Sequence, residues 1–202
     1  MHKLIDKKRP WWSETCSEDC GEDICMSANA AINREKRLEL HPSRPLKIAL
    51  NKGLINGKVL DFGCGYGVDV EYLREIGYEA FGYDRCRLRF GKYADRSVLK
   101  DDFYDTVTNF YVLNTVYPET RIEVLNEIRR VLKKNGTVLV AVRDVSEDKI
   151  IKGIPYLDGV VTKKQTFQKT FDREELEKLL ELFFSDVELI SIFPLMMSAK
   201  KP

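Results

Sequence analysis

The sequence predicts an α/β protein built on a doubly wound, mostly parallel sheet whose last strand is antiparallel. Short apolar runs alternate with segments whose apolar residues recur at helical spacing, which is typical of consecutive β-α-β units. The run VLDFGCGYG at residues 59–67 places three glycines directly after an apolar stretch, as in a strand-to-helix turn. The length of 202 residues, with 44% apolar and 32% charged residues, fits one globular domain with an arm.

Residues 1–44 are predicted to form an arm and a helical lid in front of a domain that spans residues 45–202. The arm contains the adjacent pair Trp11 and Trp12, which we expect to pack on the domain or to cover a pocket. Residues 27–40 are expected to form a helix with Ser27 as its N-cap, because a serine there can accept a backbone N–H. The stretch HPSRP then ends it.

Three cysteines of the arm, Cys16, Cys20 and Cys25, have the spacing C-x3-C-x4-C. A structural zinc site usually needs four ligands, and no fourth ligand is evident, so we predict no metal. A metal site or a thiol site for a soft substrate are the alternatives. The N-terminus lacks an apolar signal core, so we expect a cytoplasmic protein with reduced thiols.

The first half of the sheet is expected to contain two strands and the helices beside them. Residues 46–54 predict a helix, and residues 58–61 predict a short buried strand. Residues 68–76 predict a second helix that Gly77 ends, since glycine readily adopts the left-handed conformation of a C-cap. Residues 79–83 predict the next strand, which Asp84 follows.

The second half continues the alternation and then ends differently. Strands are predicted at 105–112, 137–142, 187–193 and 195–199, and helices at 118–134 and 170–184, the latter capped by Asp172. Only Phe193 and Pro194 join the last two strands. Because a parallel crossover needs a dozen residues or more, those two strands must be antiparallel.

The glycine turn predicts a ligand site, because doubly wound sheets bind ligands at the carboxyl ends of their strands. Its pattern is G-x-G-x-G, which differs from the G-x-G-x-x-G of dinucleotide sites, and the sequence has no Gly-Lys-Ser/Thr phosphate loop. Asp84 ends the second predicted strand, where an acid can accept both hydroxyls of a ribose.

These residues resemble the class I S-adenosylmethionine-dependent methyltransferases. VLDFGCGYG is similar to their first motif, and AFGYD at 80–84 is similar to their second. YDTVTNFYVLNTV at 104–116 resembles their fourth strand and its loop, and IRRVLKKNGTVLVAVRD at 128–144 resembles the helix-strand pair that follows. The resemblance covers roughly residues 45–202. It implies a Rossmann-like fold, methyltransferase activity, S-adenosylmethionine as cofactor and S-adenosylhomocysteine as product.

The resemblance also implies cofactor contacts. The turn from Gly63 to Gly67 would pass under the methionine portion, Asp84 would bind the ribose, and Asp61 would help to hold the amino end. The complete predicted set is Asp61, Phe62, Gly63, Cys64, Gly65, Gly67, Asp84, Arg85, Asp102, Phe103, Asn109 and Phe110. Purely structural roles stay open for these residues: a tight turn for the glycines, a helix cap for Asp84 and a loop anchor for Asp61.

One departure from the family concerns its third strand, which ends in an acid that contacts adenine. Only twenty residues separate Asp84 from Asp105, so a short strand or none must fit there. Asp101 or Asp102, followed by Phe103, is the expected adenine contact, and ordinary loop acids are the alternative. Arg85, Leu88 and Phe90 are expected to flank the base.

Catalytic and acceptor-binding residues are harder to predict, because methyl transfer depends mainly on alignment and needs a base only for some acceptors. His41 and Tyr111 are the candidate catalytic residues. The candidate substrate-binding residues are Asn114, Tyr117, Arg143 and Asp144. Neither N-P-P-Y nor D-P-P-Y follows the fourth-strand region, so the amino-methylating DNA enzymes are a poor match.

A narrower resemblance is to the methyltransferase domain of proteins associated with DNA phosphorothioation. Its most distinctive part is GVVTKKQTFQKTF at 159–171, which is rich in threonine, lysine and glutamine. This tract would contact a phosphate-bearing substrate, or it would form a solvated hairpin at the edge of the site.

We therefore predict a methyltransferase that acts on a small molecule, with a modified nucleic acid as the less favoured acceptor. The net charge of +1 provides no strong attraction to nucleic acid, and no apolar run is long enough for a membrane span. A monomer and a homodimer are both open. The alternatives are a nicotinamide-dependent dehydrogenase, a non-catalytic cofactor-binding regulatory subunit, and thiol-assisted methylation by the N-terminal cysteines.

Overall fold

The computed structural model describes residues 41–85, 91–149 and 151–202. In chain order its strands are β1 (Val59–Phe62), β2 (Ala80–Tyr83), β3 (Tyr104–Phe110), β4 (Leu132–Val142), β5 (Gly153–Tyr156), β6 (Gly159–Thr162), β7 (Phe167–Gln168), β8 (Ser185–Ser191) and β9 (Leu195–Lys200). The helices are α1 (Arg44–Asn51), α2 (Val68–Glu75), α3 (Pro118–Val131) and α4 (Arg173–Glu181).

The main sheet has six strands in the order β2-β1-β3-β4-β9-β8. Strand β1 pairs in parallel with β2 and β3, and β3 pairs in parallel with β4. Strand β9 runs antiparallel to both β4 and β8. The predicted fold class, a doubly wound sheet with an antiparallel last strand, is therefore confirmed.

Each face of this sheet is buried by its own pair of helices, as a doubly wound sheet requires. On one face, buried residues of α3 and α4 pack on alternate residues of the strands, such as Leu60 and Val140. On the other face, α1 and α2 cover the intervening residues, such as Val59 and Leu139. Because successive side chains of a strand point to opposite faces, both sets of alternate positions are apolar here.

The helix boundaries follow local chemistry and differ from the sequence prediction at several ends: the helices predicted at 46–54 and 170–184 span Arg44–Asn51 and Arg173–Glu181. Asp172 caps α4 as predicted, since its Oδ1 accepts a hydrogen bond from the Glu175 N–H at 2.8 Å. Helix α3 was expected to continue to residue 134, but it ends at Val131. The reason is that Leu132 already pairs with Tyr104 of β3, so β4 begins before Asn135 and Gly136. The pairing of β3 with β4 shifts its register between Tyr104 and Thr106.

Residues 153–168 form a second, three-stranded antiparallel sheet of β5, β6 and β7, which we call the cap sheet. The side chain of Phe167 is fully buried and packs edge-on against Tyr117, with ring centroids 5.1 Å apart. The guanidinium of Arg121, at the start of α3, binds the Asp158 carboxylate in the β5–β6 turn. The tract expected to be a hairpin is thus anchored on the main domain.

The described part of the segment between β2 and β3 contains two short 3-10 turns, Gly91–Tyr93 and Arg96–Val98, and no strand. Several predictions lie outside the described residues: the arm with Cys16, Cys20 and Cys25, the helix at 27–40, and the residues Leu88 and Phe90. Among the residues that the structure covers, no helix combines the length and the hydrophobicity that a membrane span requires.

A comparison of two leucines near the C-terminal end of α4 tests this packing. Leu180 is completely buried in the core, whereas Leu182 is 73% exposed. We expect Leu180→Ala to lower the free energy of unfolding by about 2–5 kcal/mol, because it removes buried methyl groups and leaves a cavity. Leu182→Ala should change it by about 0.5 kcal/mol or less. Urea denaturation measures both values, and equal losses in the two variants would contradict the placement of α4.

Candidate functional site

A large cavity of about 650 Å³ lies at the carboxyl ends of β1, β2, β3 and β4. The loops that follow these four strands form its floor, and α3, residues 41–43 and Gln168 of the cap sheet complete its walls. The volume lies in the range of about 300–1,000 Å³ that is typical of small-molecule sites. Because parallel strands bring their carboxyl ends to one edge, residues distant in sequence meet here.

The glycine turn after β1 favours glycine at each of its three positions. Gly63, Gly65 and Gly67 have φ values of 85°, 55° and 73°, which residues with a side chain adopt only at a cost of about 1–2 kcal/mol. A Cβ on Gly63 would lie 2.3 Å from Val112 Cγ2, and one on Gly67 would lie 2.2 Å from the Tyr93 ring. The turn is therefore packed tightly against the protein's own loops.

Asp84 is bonded directly to this turn. Its Oδ2 accepts a hydrogen bond from the Gly65 N–H at 2.9 Å, and its own N–H donates to the Tyr93 carbonyl at 2.8 Å. The Tyr83 carbonyl accepts from the N–H groups of Gly63 and Cys64 at 2.7 and 3.2 Å. These bonds hold the carboxylate after β2 beside the turn after β1, and both line the cavity.

The surroundings of the turn are acidic. Asp61 is 5% exposed and accepts a hydrogen bond from Thr108 Oγ1 at 2.8 Å. Asp69, in the first turn of α2, accepts from the Ser43 N–H at 2.6 Å. Burial, together with the charges of Asp61 and Asp84, raises the pKa of the Cys64 thiol well above its ordinary value. A neutral thiol and several carboxylates favour a ligand with positive charge over one with phosphates.

With this geometry established, comparison with known proteins identifies the family. Residues 32–183 match the family described as a methyltransferase domain. The chain belongs to this family. The family predicted from the sequence motifs, a methyltransferase domain, is thereby confirmed.

A curated relative of this chain matches part of its sequence. An uncharacterized protein of Methanocaldococcus jannaschii is 30% identical over 122 residues, which are 56% of this chain and 52% of that protein. The chain thus spans about half the length of that curated relative. No substrate follows from this match.

Solved structures give the same picture of the fold. The 1,6-didemethyltoxoflavin N1-methyltransferase of Burkholderia thailandensis, solved with S-adenosylhomocysteine, is 20% identical, with a TM-score of 0.61 over 88% of this chain and 87% of that one. An S-adenosylmethionine-dependent methyltransferase of Archaeoglobus fulgidus is 20% identical, with a TM-score of 0.57 over 79% and 95%. At such identities the likeness establishes the Rossmann-like fold.

The methyltransferase cavity contains most of the residues that the sequence singled out. The predicted residues that line it are His41, Asp61, Phe62, Gly63, Cys64, Gly65, Asp84, Arg85, Phe110, Tyr111, Asn114 and Arg143. The predicted residues that do not line it are Gly67, Asp102, Phe103, Asn109, Tyr117 and Asp144. His41 is exposed at its rim, and Tyr111 directly follows β3 with a φ of 61°.

The placement of Asp102 and Phe103 corrects the expected adenine contact. Their N–H groups donate to the carbonyls of Arg130 and Val131, at the amino end of β3. Asp102 pairs with Lys201 at 2.6 Å, and Phe103 packs near Phe81 and Tyr104. Both residues therefore lie at the edge of the sheet opposite the cavity. Asp102 and Phe103 directly precede β3, whereas the cavity lies beyond the other end of that strand, so neither residue lines it.

Three other predicted residues, Asn109, Tyr117 and Asp144, do not line the cavity but contact segments that do or that lie next to it. Asn109 is fully buried, and its Nδ2 donates to the Phe62 carbonyl at 2.9 Å, which fixes the end of β1. Tyr117 stacks against the cap sheet, and Asp144 Oδ1 accepts a hydrogen bond from the Ser146 N–H at 2.8 Å. Their roles in this geometry are to position loops of the site.

Several lining residues were missed by the sequence reasoning. They are Ser43, Tyr66, Val68, Asp69, Tyr83, Arg96, Leu99, Val112, Thr115, Val116, Glu123, Val124, Asn126, Glu127 and Glu147. Gln168 also lines the cavity, and it belongs to the tract 159–171, for which a substrate contact was one of the two expectations. Arg96 and Leu99 supply the wall where the family usually has a third strand, and no sequence pattern marked them. Glu123 and Glu127 lie one helical turn apart on α3, so helical spacing was the available signal.

The contacts of Glu71 generate a pH prediction, because they fasten the 3-10 turn Gly91–Tyr93 to α2. Glu71 Oε1 accepts hydrogen bonds from Lys92 Nζ and from the Tyr93 hydroxyl, both at 2.6 Å. These bonds lower the pKa of Glu71 below its ordinary value of 4.5. A lowered pKa means that the stabilisation is present above pH 4.5 and is lost as the pH falls through the folded-state pKa.

We expect Glu71→Gln to be less stable than the native chain at neutral pH, and the difference to shrink below about pH 4.5. Tyr93→Phe keeps the ring against Gly67 and removes one hydrogen bond, so it should weaken the pH dependence only partly. Urea denaturation at a series of pH values measures this. A difference that stays constant from about pH 7 to pH 3 would refute it.

Proposed function

We propose that the chain binds S-adenosylmethionine in this cavity and transfers its methyl group to a small molecule. The observation that carries the proposal is the Asp84 carboxylate held on the Gly65 N–H at the floor of the cavity, with Asp61 and Asp69 beside the same turn. The residues present fit the cofactor in three respects: its ribose, its positive charges and its flat base.

Asp84 would hold the ribose hydroxyls, since a carboxylate that ends the second strand of such a fold can accept both. Asp61 and Asp69 would favour the amino group and the sulfonium, because carboxylates near a positive charge stabilise it. Tyr83, Leu99 and Val124 line the cavity and are buried apolar residues of the core, so they offer a wall for the base.

When bound, S-adenosylmethionine supplies an electrophilic methyl group, and its transfer with loss of a proton from the acceptor leaves S-adenosylhomocysteine. The chain's own task is to align the acceptor and to receive that proton where the acceptor holds it tightly. His41 and Tyr111 line the cavity, and we propose that they accept the proton that the acceptor loses.

A dinucleotide cofactor is less well supported. Its pyrophosphate would sit at the N-terminus of α2, where backbone N–H groups attract anions. Asp69 and Glu71 occupy the first turn of this helix and already place negative charge there. This arrangement favours a methyltransferase over a nicotinamide-dependent dehydrogenase.

A small acceptor is better supported than a nucleic acid. The tract 159–171, the most distinctive part of the resemblance to DNA phosphorothioation-associated proteins, does not present a basic surface throughout. Phe167 and Gln168 are buried, and Lys169 Nζ pairs with Glu175 at 2.8 Å. The net charge of +1 adds little attraction to a polyanion. A modified nucleic acid remains the second proposed acceptor class, on the resemblance alone.

Two matched aspartate variants test the cofactor site. Asp84→Asn keeps an oxygen for the Gly65 N–H but removes the charge and one acceptor. We expect it to weaken S-adenosylhomocysteine binding about 10- to 100-fold. This factor corresponds to the roughly 1.5–3 kcal/mol that a hydrogen bond to a charged group contributes. Asp102→Asn, at the opposite edge of the sheet, should bind as tightly as the native chain.

Calorimetric titration of the full chain with S-adenosylhomocysteine, and separately with NAD, measures these affinities. Equal binding by the native chain and Asp84→Asn would contradict the proposed ribose contact. Binding of NAD alone would contradict the proposed cofactor.

A further inference from the structure

Two side-chain amides meet on the wall of the cavity. Asn114 lies in the loop after β3 and is 1% exposed, and Gln168 lies in β7 of the cap sheet and is 8% exposed. Asn114 Nδ2 donates to Gln168 Oε1 at 3.4 Å, and both residues line the cavity. The pair therefore joins the main domain to the cap sheet at the ligand site.

Hydrogen bonds to backbone carbonyls hold the two segments that carry the amides. The Asn114 carbonyl accepts a hydrogen bond from the Lys169 N–H at 2.8 Å, so the loop after β3 is bonded to the strand that carries Gln168. On the other side, Arg121 Nε donates to the Leu113 carbonyl at 2.8 Å, while its guanidinium binds Asp158 of the cap sheet. The amide pair thus lies between two segments that are hydrogen-bonded to each other.

Asn114 Oδ1 is buried and has no hydrogen-bond partner among the described residues. Such an oxygen costs about 1–3 kcal/mol when it is left without a donor. Asparagine at this position is explained if a ligand supplies the missing donor after a small rotation of the amide. Gln168 contributes its side-chain N–H groups beside it, because an amide carries two such donors. The pair can therefore present an acceptor and a donor side by side.

The charges near the amide pair cancel. Arg143 Nη1 and Glu147 Oε2, which line the cavity from the loop after β4, are 2.6 Å apart. No lysine is among the described residues that line the cavity. This end of the site consequently suits a neutral polar ligand better than a phosphate or a carboxylate.

We propose that the Asn114–Gln168 pair recognises the methyl acceptor by a neutral lactam or amide edge, in which an N–H and a C=O are adjacent. The N–H of the acceptor donates to Asn114 Oδ1, and its C=O accepts from Gln168 Nε2. The inference rests on the proposed function, which places the cofactor over β1 and β2 and leaves the space over β3 and β4 for the acceptor. A planar lactam heterocycle is the substrate class that this edge defines.

The test uses the full chain saturated with S-adenosylhomocysteine and two probes of similar shape. Uracil carries adjacent N–H and C=O groups, whereas 1,3-dimethyluracil keeps both carbonyls and has no N–H. Ligand-observed NMR titration gives the affinity of each probe. We expect uracil to bind at least about fivefold more tightly, since one unpaired buried acceptor is worth at least that factor.

Variants then assign the preference to the pair. Asn114→Leu and Gln168→Met keep similar side-chain volumes and remove the amides, so the preference for uracil should fall to about twofold or less. Asn51→Leu, at the exposed end of α1, is the matched control and should keep the full preference. The affinity of each variant for S-adenosylhomocysteine reports whether the rest of the site is intact.

The outcomes separate this inference from the proposed function. If S-adenosylhomocysteine binds and the native chain does not prefer uracil to 1,3-dimethyluracil, the lactam inference is overturned and the proposed function stands. A preference that survives in both amide variants overturns it as well. If the native chain does not bind S-adenosylhomocysteine, both are overturned.

Discussion

The left-handed glycine turn after β1 is the constraint on which the rest of the site depends. Three consecutive alternate residues have positive φ, and two of them leave no room for a Cβ because Val112 and Tyr93 are packed against them. The turn therefore joins the loops after β2 and β3 to β1, and the Gly65 N–H gives Asp84 a fixed position. The loops after β2 and β3 are therefore positioned by their contacts with the glycine turn.

The topology divides the cavity into two chemically different halves. Over β1 and β2 the lining contains the carboxylates of Asp61, Asp69 and Asp84 together with Arg85 and Arg96. The pKa of the Cys64 thiol is raised there by burial and by the charges of Asp61 and Asp84, and these carboxylates suit a ligand with positive charge. Over β3 and β4 the ion pair of Arg143 and Glu147 and the amides of Asn114 and Gln168 give a neutral, polar wall. Methyl transfer needs the two ligands end to end, and adjacent strands of one parallel sheet provide that arrangement.

Much of this fold was predictable from the sequence, because local patterns determine it. The alternation of apolar runs predicted the parallel sheet, the short Phe193-Pro194 link predicted the antiparallel end, and Asp172 was correctly predicted as a cap. Long-range packing decided what could not be predicted. Helix α3 ends before Leu132 because Leu132 pairs with β3. Gln168 lines the cavity only because the cap sheet packs against Asn114. Asp102 was assigned to the site by its closeness in sequence to β3, although it lies at the amino end of the strand.

The most direct test of the account is a crystal structure of the full chain with S-adenosylhomocysteine. We expect S-adenosylhomocysteine to lie over β1 and β2, with its ribose hydroxyls on the Asp84 carboxylate and its base against Leu99 and Val124. We also expect open space beside Asn114 and Gln168 for the acceptor. A ligand bound elsewhere, or a ribose that does not contact Asp84, would contradict this expectation.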